Sequence, residues 1–297
     1  MLGMSDYGIG NTTLMELEPV NENRIFIKLE RENFLGSIKA RTGYWIIDNL
    51  PSDADNKVII ESTSGNLGLA LGFFCRETNR KFLCLVDSSI AIKKLNSLEA
   101  NGIEYEMVTA KAGLDLRSSR IKRAEELMAT GDYYWVNQYD NPFGVMAHQC
   151  TTAPEIWEQT NHQVTHVVCS MGSCGTICGI SRFLKEKSQD IKICGVEPLG
   201  STIFGTIDAP YINIGVGLTG KPGNLISSHA IVDMSDTVDD ATSIRYTQEL
   251  YHKYHLAVGV TSGMAYAEAL RIASATRNAN IVFIAPDGRE SYDEYLR

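Results

Sequence analysis

Nowhere does an unbroken apolar run approach the roughly 20 residues that span a bilayer, so no membrane partner is expected. Positive charge is also in short supply. Lys and Arg number 27 against 36 Asp and Glu, and the net charge of -9 opposes general binding to phosphate backbones. Nucleic acid is therefore not an expected partner, although a locally cationic pocket for an anionic substrate remains compatible. Paired metal ligands are missing too. Cys174 and Cys178 lie close together, but no second Cys or His pair completes a zinc site, and no metal is expected. The seven cysteines are odd in number, mostly in apolar segments and not preceded by a signal peptide, which predicts reduced thiols in a cytoplasmic protein. Internal repeats, low-complexity tracts and long linkers are absent, so any division into two domains falls in ordinary loops.

What is present is an ordinary globular composition, 44% hydrophobic and 21% charged, in 297 residues that allow one large domain or two smaller ones. Strand-like runs alternate with helical patterns. Residues 24–29 read as a strand and 38–49 as a helix, then 57–60 and 67–76, 81–86 and 91–100, and 104–108 and 117–129 repeat the pairing. Strand 165–169 precedes helix 176–186 and strand 191–196. Helices at 237–254 and 263–275 and a strand at 281–285 finish the chain. This alternation predicts an α/β fold with parallel sheets covered on both faces, and loops after the strands on one edge, where α/β ligands bind.

Three such loops carry candidate chemistry. In Asn33-Phe34-Leu35-Gly36-Ser37-Ile38-Lys39 a strand ends, a turn of small residues follows, and Lys39 opens a helix. Burial and a positive helix terminus favour the neutral amine that a Schiff base requires, whereas an isolated lysine there also reads as a solvated helix residue. Ser62-Thr63-Ser64-Gly65-Asn66-Leu67-Gly68 links a strand to an apolar helix. Its hydroxyls and N–H groups suit an α-carboxylate and Asn66 could reach a ring hydroxyl, though plain helix capping describes the same residues. Gly172-Ser173-Cys174-Gly175-Thr176 opens a third helix after a strand. No Lys-Ser/Thr pair follows, as a P-loop needs, and the spacing is not G-x-G-x-x-G, which leaves a cradle for a single phosphate.

In this order the three segments resemble the cysteine synthase family of fold-type II pyridoxal-phosphate enzymes. Ile9-Gly10-Asn11-Thr12-Thr13-Leu14, 138–142, 151–157, Gly215-Val216-Gly217 and Gly259-Val260-Thr261-Ser262-Gly263 extend the likeness over almost the whole chain. The resemblance implies two three-layer α/β/α domains, a smaller substrate-binding one at 30–142 and a larger one at 1–29 plus 143–297 that binds the cofactor phosphate. It also implies a homodimer acting on small amino acids with pyridoxal 5'-phosphate. By the same resemblance Lys39 is the Schiff-base lysine that also moves the α-proton, Asn66 bonds the ring hydroxyl, and Gly172, Ser173, Cys174, Gly175 and Thr176 grip the phosphate. Ser173 and Cys174 depart from the usual Thr-Gly. Thr63, Ser64 and Gln138 match positions that hold the substrate carboxylate, and Thr261 faces the pyridine nitrogen. A neutral hydroxyl there does not enforce ring protonation, which suits loss of a β-substituent to an aminoacrylate better than transamination.

Within the family, Glu61-Ser62-Thr63-Ser64-Gly65-Asn66-Leu67-Gly68, 134–139 and 201–205 look closest to a subgroup that feeds diaminopropionate to the siderophore staphyloferrin B. Its synthases join O-phosphoserine to glutamate, giving N-(2-amino-2-carboxyethyl)-glutamate. Arg120 falls where that subgroup places an arginine suited to the donor's phosphate, and a guanidinium grips phosphate bidentately. A surface arginine among Arg117, Lys122 and Arg123 is the other reading. Lys221 is a candidate for a glutamate carboxylate, or a solvated loop lysine. The alternatives are a cysteine synthase using sulfide and a binding module that retains the fold without the chemistry. A nucleotide-binding oxidoreductase is disfavoured by the single-phosphate glycine pattern.

Overall fold

A computed structural model describes residues 1–297 apart from Ser64, Asn213, Ile214, Asp293, Glu294 and Arg297. The chain begins with β1 (Leu14–Glu16) and β2 (Arg24–Leu29), then runs through α1 (Lys39–Asp48), β3 (Val58–Ser62), α2 (Asn66–Glu77), β4 (Phe82–Val86), α3 (Ile92–Ala100), β5 (Glu104–Met107), α4 (Leu116–Met128) and β6 (Tyr133–Trp135). It continues with α5 (Pro142–Ala147), a π-helical turn at His148–Thr152, α6 (Ala153–Gln159), β7 (His166–Ser170), α7 (Gly175–Lys187), β8 (Lys192–Pro198) and α8 (Gly223–Ser227). β9 (Met234–Val238), α9 (Asp240–Tyr254), α10 (Val260–Ala275) and β10 (Asn280–Ala285) complete it.

Two sheets result. One has the order β1-β2-β10-β7-β8-β9, parallel throughout except for the antiparallel pairing of β1 with β2. The other, β5-β4-β3-β6, is wholly parallel. Parallel strands covered on both faces are continuously apolar, as the near-total burial of β2 and β10 illustrates. Ile25, Ile27, Phe283 and Ala285 pack with α10 on one face, while Phe26, Val282 and Ile284 join Ile156, Ile177 and Ile180 on the other. The four-stranded sheet has its own core, with Ile59, Cys84 and Val86 against α1 and α2, and Ile60 and Leu85 against α4.

The predicted helix from residue 237 begins later. Thr237 and Val238 belong to β9, the edge strand paired with Glu197 and Pro198, and Asp239 caps α9 by accepting from the Thr242 N–H at 2.9 Å. A polar edge strand carries no strong period-two signal, which is why the helical pattern absorbed it. The strands β1 and β6, three residues each, are too short to show any period.

A buried charge cluster fixes the start of α1. The Arg41 guanidinium, fully buried, donates to Glu30 at 2.7 and 2.8 Å and to Glu155 at 2.6 and 2.8 Å. Lys28 Nζ donates to Glu155 at 2.7 Å, to Gln159 at 2.9 Å and to the Thr12 carbonyl at 2.7 Å. Two cations face two carboxylates, so the cluster is neutral and ties β2, α1 and α6 together. Removing one member strands the others, and Arg41→Ala should lower unfolding free energy by about 3–5 kcal/mol in urea titrations. Burial alone would raise the Glu155 carboxyl, but the bonds to Arg41 and Lys28 outweigh it and hold it at about 2. A depressed folded-state value means stability that is present above the ordinary glutamate range and lost as pH falls toward 2.

Candidate active site

The carboxyl ends of strands from both sheets face one cavity of about 180 Å³. Lys39, Thr63, Asn66, Arg120, Gln138, Thr261 and the whole Gly172–Thr176 turn line it. Segments separated by more than two hundred residues therefore meet in one place. Ser64, expected beside Thr63, lies outside the described residues.

Lys39 is the first residue of α1, and Leu35 and Gly36 just before it both adopt positive φ, 61° and 72°. That tight turn projects the amine into the cavity rather than into solvent. Burial lowers the proton affinity of the amine below that of an ordinary lysine, against the opposing pull of Glu61, Asp287 and Cys174. The solvated-lysine alternative does not describe this residue.

The turn before α7 is shaped for close approach. A Cβ at Gly172 would sit 3.1 Å from the Gly215 carbonyl oxygen, and one at Gly175 would meet the Gly144 oxygen at 3.0 Å. Cys174 takes φ 61°, a left-handed conformation that costs a non-glycine residue about 1–2 kcal/mol. The free N–H groups of the first turn of α7 and the Thr176 hydroxyl make an anion cradle. Thr176 Oγ1 also lies 3.3 Å from His148 Nε2, and burial keeps that imidazole neutral by holding its pKa well below the ordinary value. Asn224, which no sequence pattern signalled, donates to the carbonyls of Ser173 and Gln138 at 2.8 Å each and joins the two loops.

Gln138 is oriented from behind by Glu61, whose oxygens lie 3.2 Å from its backbone N and 3.4 Å from its side-chain Nε2. Burial pushes the Glu61 carboxyl up to about 8, with the Gln138 bonds pulling the other way.

Arg120 is buried, and its Nε stands 2.9 Å from Asp87 Oδ2 without the alignment of a hydrogen bond. Its buried Nη1 has no hydrogen-bond partner among the described residues. Arg117, one turn earlier on α4, also lines the cavity and donates to the Gly217 carbonyl at 3.1 Å. Arg123 turns outward to Glu106 at 2.7 Å, so the helical repeat divides the basic residues between cavity and surface. Lys221 is not among the lining residues. It is exposed, with Nζ 4.7 Å from the centre of the Phe204 ring.

Sequence reasoning missed Lys94, Asp287 and Tyr292, which also line the cavity. Asp287 follows β10 at the ligand-bearing edge, a position that could have signalled it, whereas Lys94 looked like any helix lysine. Four cations and one carboxylate, Asp287, therefore face this space among the described residues, in a chain whose overall charge is negative. Thr261 is 2% exposed, and its hydroxyl faces Tyr292 at the wall of the cavity.

Comparison with known proteins agrees in kind. The family model described as pyridoxal-phosphate dependent enzyme matches residues 6–287. Cysteine synthase B of Escherichia coli (strain K12) is 33% identical over 96% of this chain and 92% of its own length. The crystal structure of an O-acetylserine dependent cystathionine beta-synthase from Helicobacter pylori superposes with a TM-score of 0.89 at 30% identity, covering 98% of this chain and 97% of that one. A hydrogen sulfide-producing enzyme from Fusobacterium nucleatum gives 0.87 at 29% identity, with 98% and 99% covered.

Proposed function

Because the chain belongs to the pyridoxal-phosphate dependent enzymes, we propose that its cavity replaces the phosphate of O-phosphoserine by an amino acid, glutamate, to give N-(2-amino-2-carboxyethyl)-glutamate for diaminopropionate and siderophore supply. This is a cysteine synthase-like β-replacement enzyme that uses pyridoxal phosphate. The observation that carries O-phosphoserine as donor is the charge of the cavity. With Lys39 given to the cofactor and Lys94 facing Asp287, Arg117 and Arg120 remain for a donor, and Arg120 is buried with no partner for Nη1 among the described residues. Buried donors without partners favour a ligand that brings acceptors, and a phosphate ester brings more than an acetyl ester.

In this reading the residues present fit the cofactor. Lys39 would hold it covalently, the N–H groups of 172–176 and the Thr176 hydroxyl would hold its phosphate, and Thr261 and Asn66 would hold its ring. The glycines at 172 and 175 leave the room a Cβ would fill. The bound group supplies the electron sink for breaking the bond to the β-substituent. Lys39 takes the α-proton from the donor and returns it to the product. Thr63, Ser64 and Gln138 orient the donor carboxylate, and Arg120 holds the leaving phosphate. The cavity between the two sheets limits water, which would otherwise compete with the nucleophile. We assign residues 30–142 to a smaller domain and 1–29 plus 143–297 to a larger one, supported by their separate cores, although Ile9 packs with the smaller. A homodimer in solution is the expected state, checked by sedimentation.

A second reading is a cysteine synthase acting on O-acetylserine with sulfide, favoured by the names of its relatives. Donor competition separates the two. Phosphate release from O-phosphoserine, and mass analysis of the product formed with glutamate and sulfide together, should give the glutamate adduct. Exclusive formation of cysteine would replace the first reading by the second.

A further inference from the structure

Lys94 and Asp287 approach one another across the cavity from different sheets. Lys94 lies on α3, beside the four-stranded sheet, and Asp287 follows β10, in the middle of the six-stranded one. Asn66 stands between them. Lys94 Nζ donates to Asn66 Oδ1, and Asn66 Nδ2 donates to Asp287 Oδ2 at 2.9 Å. An ammonium can only donate and an ionised carboxylate can only accept, so these two charges fix which way the amide points. The second N–H of Nδ2 stays available to a ligand.

Asp287 is otherwise an odd residue for this place. It is 8% exposed, and Tyr292 donates to its Oδ2 at 3.3 Å, yet its Oδ1 is buried with no hydrogen-bond partner among the described residues. A Cβ at Gly259 would lie 2.3 Å from that Oδ1, so the backbone there is built to admit the carboxylate. Burial raises the carboxyl to about 6, while Lys94 and the bonds from Asn66 and Tyr292 pull it back down. As a carboxylate facing Lys94 and two donors, it also acts on Lys39.

We infer that Lys94 and Asp287 are positioning residues, a pair of opposite charges that locks the Asn66 amide and sets the proton affinity of the Lys39 nitrogen once pyridoxal phosphate is attached to it. The inference rests on the roles proposed above for Lys39 and Asn66. The sign follows from Coulomb's law: the carboxylate favours a proton on that nitrogen, and the ammonium opposes it. The groups facing Asp287 are Lys94 from α3, Asn66 from α2, Tyr292 and Glu290 from the chain's end and Lys39 from α1. Lys39 also feels Glu61 and Cys174, which the variants below leave in place.

The test is a pH titration of the visible absorbance of the holoenzyme, with cofactor affinity measured alongside. Asp287→Asn should move the transition down by about one pH unit. Lys94→Gln should move it up, and the double variant, neutral at both places, should return toward the parent. Cofactor affinity should fall modestly in each single variant, because the Asn66 amide loses one of the two partners that orient it, while the phosphate cradle is untouched. A transition that stays put in Asp287→Asn, or shifts in the same direction in both single variants, overturns the inference. A transition that persists in Lys39→Ala instead overturns the underlying assignment of Lys39, so the two failures are distinguishable.

Discussion

Replacing Lys39 by alanine lowers turnover at least a thousandfold in this account, because one amine serves both as the covalent anchor and as the proton carrier. General acid–base catalysis by a positioned group contributes roughly 10²–10⁴-fold, and the loss of covalent attachment adds to it. The phosphate cradle is formed by backbone and Thr176, distant in sequence from Lys39, so the variant should still bind the cofactor. Initial rates of phosphate release, together with the visible spectrum of the variant, check both halves. Undiminished turnover would remove the whole assignment of the cavity.

The second large effect is selective. Arg120→Ala should lower kcat/KM for O-phosphoserine roughly 10- to 100-fold, the 1.5–3 kcal/mol of a hydrogen bond to a charged group, and leave O-acetylserine nearly unaffected. Arg120→Lys keeps the charge but loses the planar fork, and should recover only part of the loss. Arg120 and Asp87 are both buried and paired, so Arg120→Ala also removes the counter-ion of Asp87, which keeps only its bonds from Ser89 among the described residues. Urea titration of each variant separates that stability cost from the loss of donor recognition. An equal fall with both donors would assign Arg120 to folding and take away the argument for phosphate.

Both effects concern residues that the sequence marked for different reasons. Lys39 was legible because a turn of small residues after a strand is a local pattern, and its burial then followed from the fold. Arg120 was one of four basic residues on a helix, and only the placement of α4 decided which of them turned inward. Asp87 and Asn224 had no local signature at all, and Asp287 had only its place just after a strand. Each acts through a partner 33, 51 or 221 residues away: Arg120 for Asp87, Ser173 for Asn224, Asn66 for Asp287.

By itself the sequence determined the alternation of strands and helices, the parallel α/β class and the three glycine- and hydroxyl-rich turns, since hydrophobic period and turn chemistry are properties of neighbouring residues. Only the tertiary structure decided that the strands divide into two sheets, and that Lys94 and Asp287 close on Asn66 from opposite sides. It also decided that the cavity is cationic in an acidic chain. Such facts depend on which strand lies beside which, and on burial that turns an ordinary charge into a strong one. No window along the chain contains either.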